Sequence, residues 1–170
     1  MRRILFENIW KGPLTDPPPP DDAETSALKH ALKARIDAIF AGSLAIRMVD
    51  AGSCNGCELE IHALSNPYYD LERFGLKFVA SPRHADVLLV TGPVTANMRE
   101  ALRRTYDATP APKWVIASGD CARDGGLFKE SPAIVGGVAE VVPVDLHIPG
   151  CPPTPLKLIK GLLALTGQAR

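Results

Sequence analysis

Short apolar runs alternate with longer segments of helical spacing along most of the chain. The runs are rich in leucine and β-branched side chains, which favours strands buried on both faces. They lie at Ala45–Val49, Leu76–Ala80, Val87–Thr91, Trp114–Ala117 and Val141–Val144 with Leu146–Ile148, the last bent at Pro143. The segments between them predict helices at Glu58–Leu64, Tyr68–Phe74, Asn97–Tyr106 and Leu156–Leu165. This alternation predicts an α/β fold, a parallel sheet with helices on both faces.

The chain before the first strand follows a different pattern. Residues 26–42 predict one amphipathic helix, because apolar side chains recur at helical spacing along Ser26–Phe40 before Gly42 ends the segment. The apolar face comprises Leu28, Leu32, Ile36, Ile39 and Phe40, with Lys29, Lys33 and Arg35 largely off it. We expect this face to pack against protein, either this chain or a partner, with a lipid surface as the alternative.

Residues 1–25 predict an N-terminal arm and a proline-rich spacer. Pro17–Pro20 form a stiff polyproline segment rather than part of a core. The apolar side chains of Met1–Trp10 are too few to build a core of their own. Two interpretations stay open for that segment, a disordered start or an arm that docks on a partner. The α/β domain is therefore expected within residues 43–170.

Composition excludes several classes of function. Lysine plus arginine equal aspartate plus glutamate at 19 each, so no basic excess indicates nucleic-acid binding. Apolar residues make up 46% of the chain. No apolar run reaches the roughly 18 residues of a transmembrane helix, and no secretory signal is apparent. Four cysteines are too few for a disulfide scaffold, so we expect a soluble protein of a reducing compartment, where cysteines are more often ligands or catalysts.

Two of the cysteines lie where the first predicted strand passes into its helix. Cys54 and Cys57 have C-x-x-C spacing at this point. Backbone N–H groups and the helix dipole favour negative charge there, which suits thiolates or an anionic cluster. The pair alone is compatible with a redox dithiol, half of a zinc site, two of four ligands to an iron–sulfur cluster, or two ordinary buried thiols.

The other two cysteines decide between these interpretations. Cys121 and Cys151 follow the fourth and fifth predicted strands. Because the carboxyl ends of parallel strands share one edge, all four thiols are predicted to meet there. Structural zinc more often uses compact pairs of C-x-x-C, whereas Cys151-Pro152 matches the cysteine–proline that closes ferredoxin runs. The pattern favours one [4Fe–4S] cluster, with zinc as the alternative.

Five segments carry a resemblance to a known family and together span roughly Arg47–Leu163. They are G-S-C-N-G-C-E-L-E-I, L-E-R-F-G-L-K, S-P-R-H-A-D-V-L-L-V-T-G-P-V-T, S-G-D-C-A-R-D-G-G-L-F and V-D-L-H-I-P-G-C-P-P-T-P. The chain resembles the small, cluster-bearing subunit shared by energy-converting [NiFe] hydrogenases and respiratory complex I. In complex I members the first two cysteines are adjacent. Here Asn55 and Gly56 separate them, as in the hydrogenase branch of the formate hydrogenlyase type.

The resemblance implies a flavodoxin-like fold and a proximal [4Fe–4S] cluster held by Cys54, Cys57, Cys121 and Cys151. It implies a non-autonomous electron-transfer subunit of an oxidoreductase, without catalytic residues of its own. The implied partners are a large catalytic subunit of the nickel–iron or quinone-site type, a ferredoxin-like cluster subunit and ion-translocating membrane subunits. The implied location is peripheral, on the cytoplasmic face of the inner membrane. The alternatives are a complex-I-like quinone reductase subunit and a zinc-stabilised assembly module.

Three residues near the cysteines have open roles. Glu58 is better explained as a first-turn glutamate stabilised by the helix dipole than as a proton relay. His62 is interpreted as an interface histidine. Arg123 departs from the small or neutral residues typical of relatives. It either raises the potential of a nearby cluster or pairs with Asp124 in solvent.

Overall fold

The computed structural model describes Trp10 and residues 22–168. Its strands are β1 (Leu44–Asp50), β2 (Leu76–Phe78), β3 (Val87–Thr91), β4 (Val94–Thr95), β5 (Trp114–Ser118), β6 (Ile134–Gly136) and β7 (Leu146–Ile148). Its α-helices in residues 22–168 are α1 (Ala23–Phe40), α2 (Gly56–Ala63), α3 (Ala96–Ala108), α4 (Asp120–Asp124) and α5 (Pro155–Gln168). Short 3₁₀ turns lie at Leu71–Phe74, Pro82–His84, Gly126–Phe128 and Val138–Glu140.

The main sheet has the strand order β2-β1-β3-β5-β7, and all neighbours are parallel. The strands β4 and β6 form a separate antiparallel ribbon. With this ribbon set aside, the order along the chain is 2-1-3-4-5, the flavodoxin-like order. The α/β fold predicted from the sequence is therefore confirmed.

Helices cover both faces of the sheet and form two cores. Val87 and Leu89 of β3 pack in the core shared with α1, α2 and α5. Leu88 and Val90 pack in the core shared with α3 and α4. Alternate residues of β3 face opposite cores because side chains of a strand alternate between its two faces. Both faces are buried, which explains why the sequence of β3 is apolar at nearly every position.

The first helix begins earlier than the sequence predicted and differs in one side chain. Asp22 caps it by accepting a hydrogen bond from Thr25 N at 3.3 Å. Leu32 and Ile36 are fully buried, which confirms the apolar face. The expectation that Lys29 lies largely off that face is wrong, because Lys29 is only 2% exposed. Its ammonium donates to Tyr68 O at 3.1 Å, and this bond offsets the cost of burying the charge.

Three of the predicted elements are shorter than expected. The strand predicted at Leu76–Ala80 ends at Phe78. No strand forms at Val141–Val144, because the N–H groups of Val141 and Val142 donate locally to Val138 O. Pro143 has no N–H group that could donate a hydrogen bond to a neighbouring strand. The helix expected at Tyr68–Phe74 is the 3₁₀ turn Leu71–Phe74, which ends at Gly75 as expected.

The predictions for the N-terminal arm lie outside the described residues, apart from Trp10, whose side chain is exposed. Within the described part of the chain, none of the helices has the length and apolar character needed to cross a membrane.

Candidate metal centre

All four cysteines line one small cavity of about 80 Å³ at the carboxyl edge of the sheet. Its other walls include Ser53, Gly92, Asp120 and Gly150, which follow β1, β3, β5 and β7 respectively. The cavity therefore includes the position between β1 and β3 where the strand order reverses. Ligands of open parallel sheets bind at that position.

A short turn places the first two thiols. Asp50 accepts hydrogen bonds from Gly52 N at 2.8 Å and Ser53 N at 2.7 Å, which folds the chain back after β1. Asn55 then adopts a left-handed conformation with φ of 72°, which asparagine tolerates better than most residues. As a result Cys54 lies before α2 and is exposed, whereas Cys57 lies in its first turn and is buried.

The third thiol belongs to the short helix α4, which the sequence did not predict. Cys121 is the second residue of α4 and is buried. Two glycines with positive φ leave room for the sulfurs. A Cβ at Gly119 would lie 2.8 Å from Cys57 Sγ, and one at Gly126 would lie 2.7 Å from Cys121 Sγ. Side chains at these positions would fill the space beside both buried thiols.

Hydrogen bonds tie the third thiol to the fourth. Asp120 N donates to Gly150 O at 2.9 Å, and Gly150 N donates to Asp120 Oδ1 at 3.1 Å. His147 Nε2 lies 3.1 Å from Gly119 O. These contacts join the segments that carry Cys121 and Cys151, although they are 30 residues apart. The sequence pattern did not predict this role of Asp120, although its place directly before Cys121 was the available signal.

Burial governs the protonation of the inner thiols. It raises the pKa of Cys57 to about 12, with Glu58 and the other three cysteines as further causes. Burial also raises the pKa of Cys121, although a hydrogen bond from the backbone N–H of Leu127 opposes the shift. These shifts favour the neutral thiols in the metal-free chain, whereas a cation bound nearby would favour the thiolates.

Glu58 and Arg123 have different surroundings. Glu58 lies in the first turn of α2, where the dipole interpretation places it, yet it is only 4% exposed. Neither of its carboxylate oxygens has a hydrogen-bond donor among the described residues. Arg123 pairs with Asp124 at 2.9 Å, and both side chains are about half exposed. The structure thus favours the solvent ion pair for Arg123.

Within residues 22–168, no group of three or more histidine, cysteine, aspartate or glutamate side chains is arranged to hold a metal ion. The four thiols instead stand around a shared volume. The geometry therefore brings all four predicted residues together, and their role as ligands stays a prediction.

Comparison with known proteins gives consistent relationships. The family model "NADH ubiquinone oxidoreductase, 20 Kd subunit" matches residues 54–165, a range that includes all four cysteines. A probable membrane-bound hydrogenase subunit, mbhJ of Pyrococcus furiosus, is 51% identical over 123 residues, covering 72% of this chain and 74% of that protein. Formate hydrogenlyase subunit 7 of Escherichia coli K12 is 44% identical over 146 residues, covering 86% of this chain and 56% of that longer protein.

One solved structure is similar to this chain in both fold and sequence. A chain of the archaeal membrane-bound sulfane sulfur reductase, a respiratory membrane complex, superimposes with a TM-score of 0.66 at 35% identity. The match covers 75% of this chain and 70% of that one.

Proposed function

Because the chain belongs to the family of the 20 kDa subunit of NADH ubiquinone oxidoreductase, we propose that it is the electron-transfer subunit of a membrane-associated hydrogenase complex, carrying one [4Fe–4S] cluster. The observation that carries the proposal is the single cavity lined by all four cysteines. The hydrogenase branch is favoured because hydrogenase and formate hydrogenlyase subunits are 44–51% identical to this chain. The C-x-x-C spacing of Cys54 and Cys57 supports the same branch.

The residues at the cavity fit a cluster better than a single ion. Four thiols form a ligand set suited to iron–sulfur chemistry, and they surround a volume instead of one point. The glycines that leave space beside Cys57 and Cys121 would clear the walls for a group larger than an ion. Cys54, Cys57, Cys121 and Cys151 would hold the cluster, which supplies one-electron transfer when bound.

The chain itself contributes geometry and environment. The backbone N–H of Leu127 opposes the rise in the pKa of Cys121, and N–H groups directed at sulfur tune reduction potentials. Cys54 and Cys151 are exposed, so the cavity meets the surface where a partner would cover it. The large catalytic subunit is the proposed occupant of that surface. The cluster-bearing chain alone is not expected to turn over hydrogen, formate or NADH.

The proposed location is peripheral, on a membrane complex that also contains ferredoxin-like and ion-translocating subunits. Its support is that relatives of this chain belong to a membrane-bound hydrogenase and to a respiratory membrane complex.

The first experiment is metal and sulfide analysis of the full chain purified without oxygen. We expect about four iron and about four sulfide per chain, together with a reducible cluster signal in electron paramagnetic resonance. The control is Glu130→Ala, which removes an exposed carboxylate from the segment after Cys121 and should leave the iron content unchanged. Stoichiometric zinc without sulfide would instead support the zinc-stabilised module and reject electron transfer.

A second experiment separates hydrogenase from quinone reductase. The native complex is isolated from membranes through a tag on this chain, and its metals and activities are measured. Nickel in the co-purified large subunit and hydrogen-dependent reduction of the cluster are expected. A complex without nickel that reduces quinone would assign the chain to the complex-I-like alternative.

A further inference from the structure

A second concave site lies beside α2, away from the cysteine cavity. It has a volume of about 290 Å³ and apolar walls formed by Met48, Ile61, Phe78 and Val79. Two basic side chains, Arg47 and His62, and the hydroxyl residue Ser65 complete it. We call this site the Arg47 cleft. It combines an apolar wall with a few polar groups, which is typical of binding sites.

The Arg47 cleft lies where the sheet is incomplete. The edge strand β2 pairs with β1 only from Leu44 to Ile46, and Val79 N makes the next bond to Ile46 O. Beyond that point no described strand covers the outer side of β1. The second half of β1, which begins near Arg47, is therefore open toward the cleft on that side.

Arg47 has an unusual environment for a guanidinium. Its Nε is buried and has no hydrogen-bond acceptor among the described residues. No carboxylate in residues 22–168 lies within ion-pair distance of it. A buried donor without a partner costs free energy, and native proteins rarely leave one unsatisfied. The sequence contained a signal, since Arg47 interrupts the otherwise apolar run Ala45–Val49.

We propose that the Arg47 cleft receives an aspartate or glutamate side chain of a partner protein in the same complex. A carboxylate matches the planar fork of a guanidinium, and His62 on α2 adds a second donor at the rim. The apolar walls suit the aliphatic part of a protein segment better than a small hydrated anion. The inference rests on the proposed assembly and not on the cluster, so either one can fail alone.

Zero-length crosslinking tests the contact directly. Arg47→Lys places an amine in the cleft, and the intact complex is then treated with a carbodiimide and digested for mass spectrometry. The expected product joins position 47 to an aspartate or glutamate of another subunit. Lys77, an exposed amine on β2 outside the cleft, is the internal reference for reagent access.

A second pair of variants measures the contribution of the contact. Arg47→Gln should speed dissociation of the chain from the complex by about 30-fold or more, because a buried charge on the partner is left unpaired. Lys77→Gln should leave dissociation unchanged. In the full chain without partners, Arg47→Met should melt no lower than the wild type, which shows that faster dissociation does not come from unfolding.

Three outcomes overturn the proposal. One is a crosslink from position 47 to a carboxylate of this same chain. Another is no crosslink from position 47 while Lys77 reacts. The third is equal dissociation of Arg47→Gln and Lys77→Gln. The iron content of Arg47→Gln is measured as well. If it is unchanged, any of these results bears on the partner contact alone and not on the binding of the cluster.

Discussion

The inner and outer cysteines of the cavity differ in burial and in backbone support. The inner pair, Cys57 and Cys121, lies in the first turns of α2 and α4 and is only 9% exposed at each residue. The outer pair, Cys54 and Cys151, lies outside any helix or strand and is exposed. The fold therefore fixes the inner pair before anything binds. The outer pair closes the site at the surface, where a partner can influence it.

Serine substitutions should separate the two pairs most strongly. Cys57→Ser and Cys121→Ser should lower the affinity for iron by at least about 100-fold, the upper end of what loss of a supporting residue costs. Cys54→Ser and Cys151→Ser should lose less, because solvent or an added thiol can reach the vacated position. Iron and sulfide analysis after anaerobic reconstitution measures both effects.

An added small thiol supplies the control for this comparison. It should restore iron binding in the outer-pair variants and leave the inner-pair variants empty. If all four variants lose iron binding to the same degree and recover it equally with the added thiol, the inner and outer cysteines do not differ as ligands. Cys151→Ser should also weaken association with partner subunits, since Cys151 is exposed at the mouth of the cavity.

The hydrogen bonds of Asp120 connect one pair to the other. Asp120→Ala removes the acceptor for Gly150 N and should lower iron affinity by about 10- to 100-fold, as loss of ligand-supporting residues does. Asp120→Asn retains an oxygen at that position and should recover most of the affinity. Glu130→Ala is the matched control. A wild-type iron affinity in Asp120→Ala would show that the cavity keeps its shape without this bond.

Sequence reasoning succeeded where local pattern and sheet topology agree. Val87–Thr91 was predicted with its observed bounds, because its β-branched and leucine side chains suit a strand that is buried on both faces. The convergence of Cys54 and Cys121 at one edge followed from parallel strands alone. Topology of this kind needs no knowledge of side-chain contacts.

The failures arose where a hydrogen bond or contact that the hydrophobic pattern does not show determined the outcome. Lys29 is buried because Tyr68 O and the Phe74 ring receive its ammonium, and neither contact is visible in helical spacing. The run Val141–Val144 has strand composition, but Val138 O captures its N–H groups. The Arg47 cleft depends on where β2 stops, which the sequence placed two residues too late.

Alkylation of the metal-free chain should distinguish the pairs by their protonation. Because burial raises the pKa of Cys57 from its ordinary 9.0 to about 12, its reactive thiolate fraction at pH 8 is far below that of an ordinary thiol. We expect Cys57 to react with iodoacetamide at least about tenfold more slowly than exposed Cys54. Mass spectrometry of timed samples gives the rates, and equal rates at pH 8 would contradict the assignment.

The same shift predicts how stability of the metal-free chain depends on pH. A raised pKa means that folding favours the neutral Cys57 thiol, so its contribution is fully present below about pH 9. That contribution is lost as pH rises from 9 toward 12, because the unfolded chain ionises first. Chemical denaturation of wild type and Cys57→Ser across this range should show a steeper decline in the wild type.

The smallest effect is expected at Arg123, which is close in sequence to Cys121 of the inner pair but has a side chain exposed to solvent. Its guanidinium is bound to Asp124 Oδ2 by two hydrogen bonds, at 2.9 and 3.0 Å, so its charge is already compensated. Surface ion pairs contribute little, and Arg123→Gln should change the stability of the chain by no more than about 0.5 kcal/mol. Redox titration of the reconstituted chain should give nearly the same midpoint potential for this variant. A clear fall in the midpoint potential would show that the charge of Arg123 acts on the cluster through space. In that case, the exposure of a charged side chain at this edge of the sheet would not show whether it affects the potential.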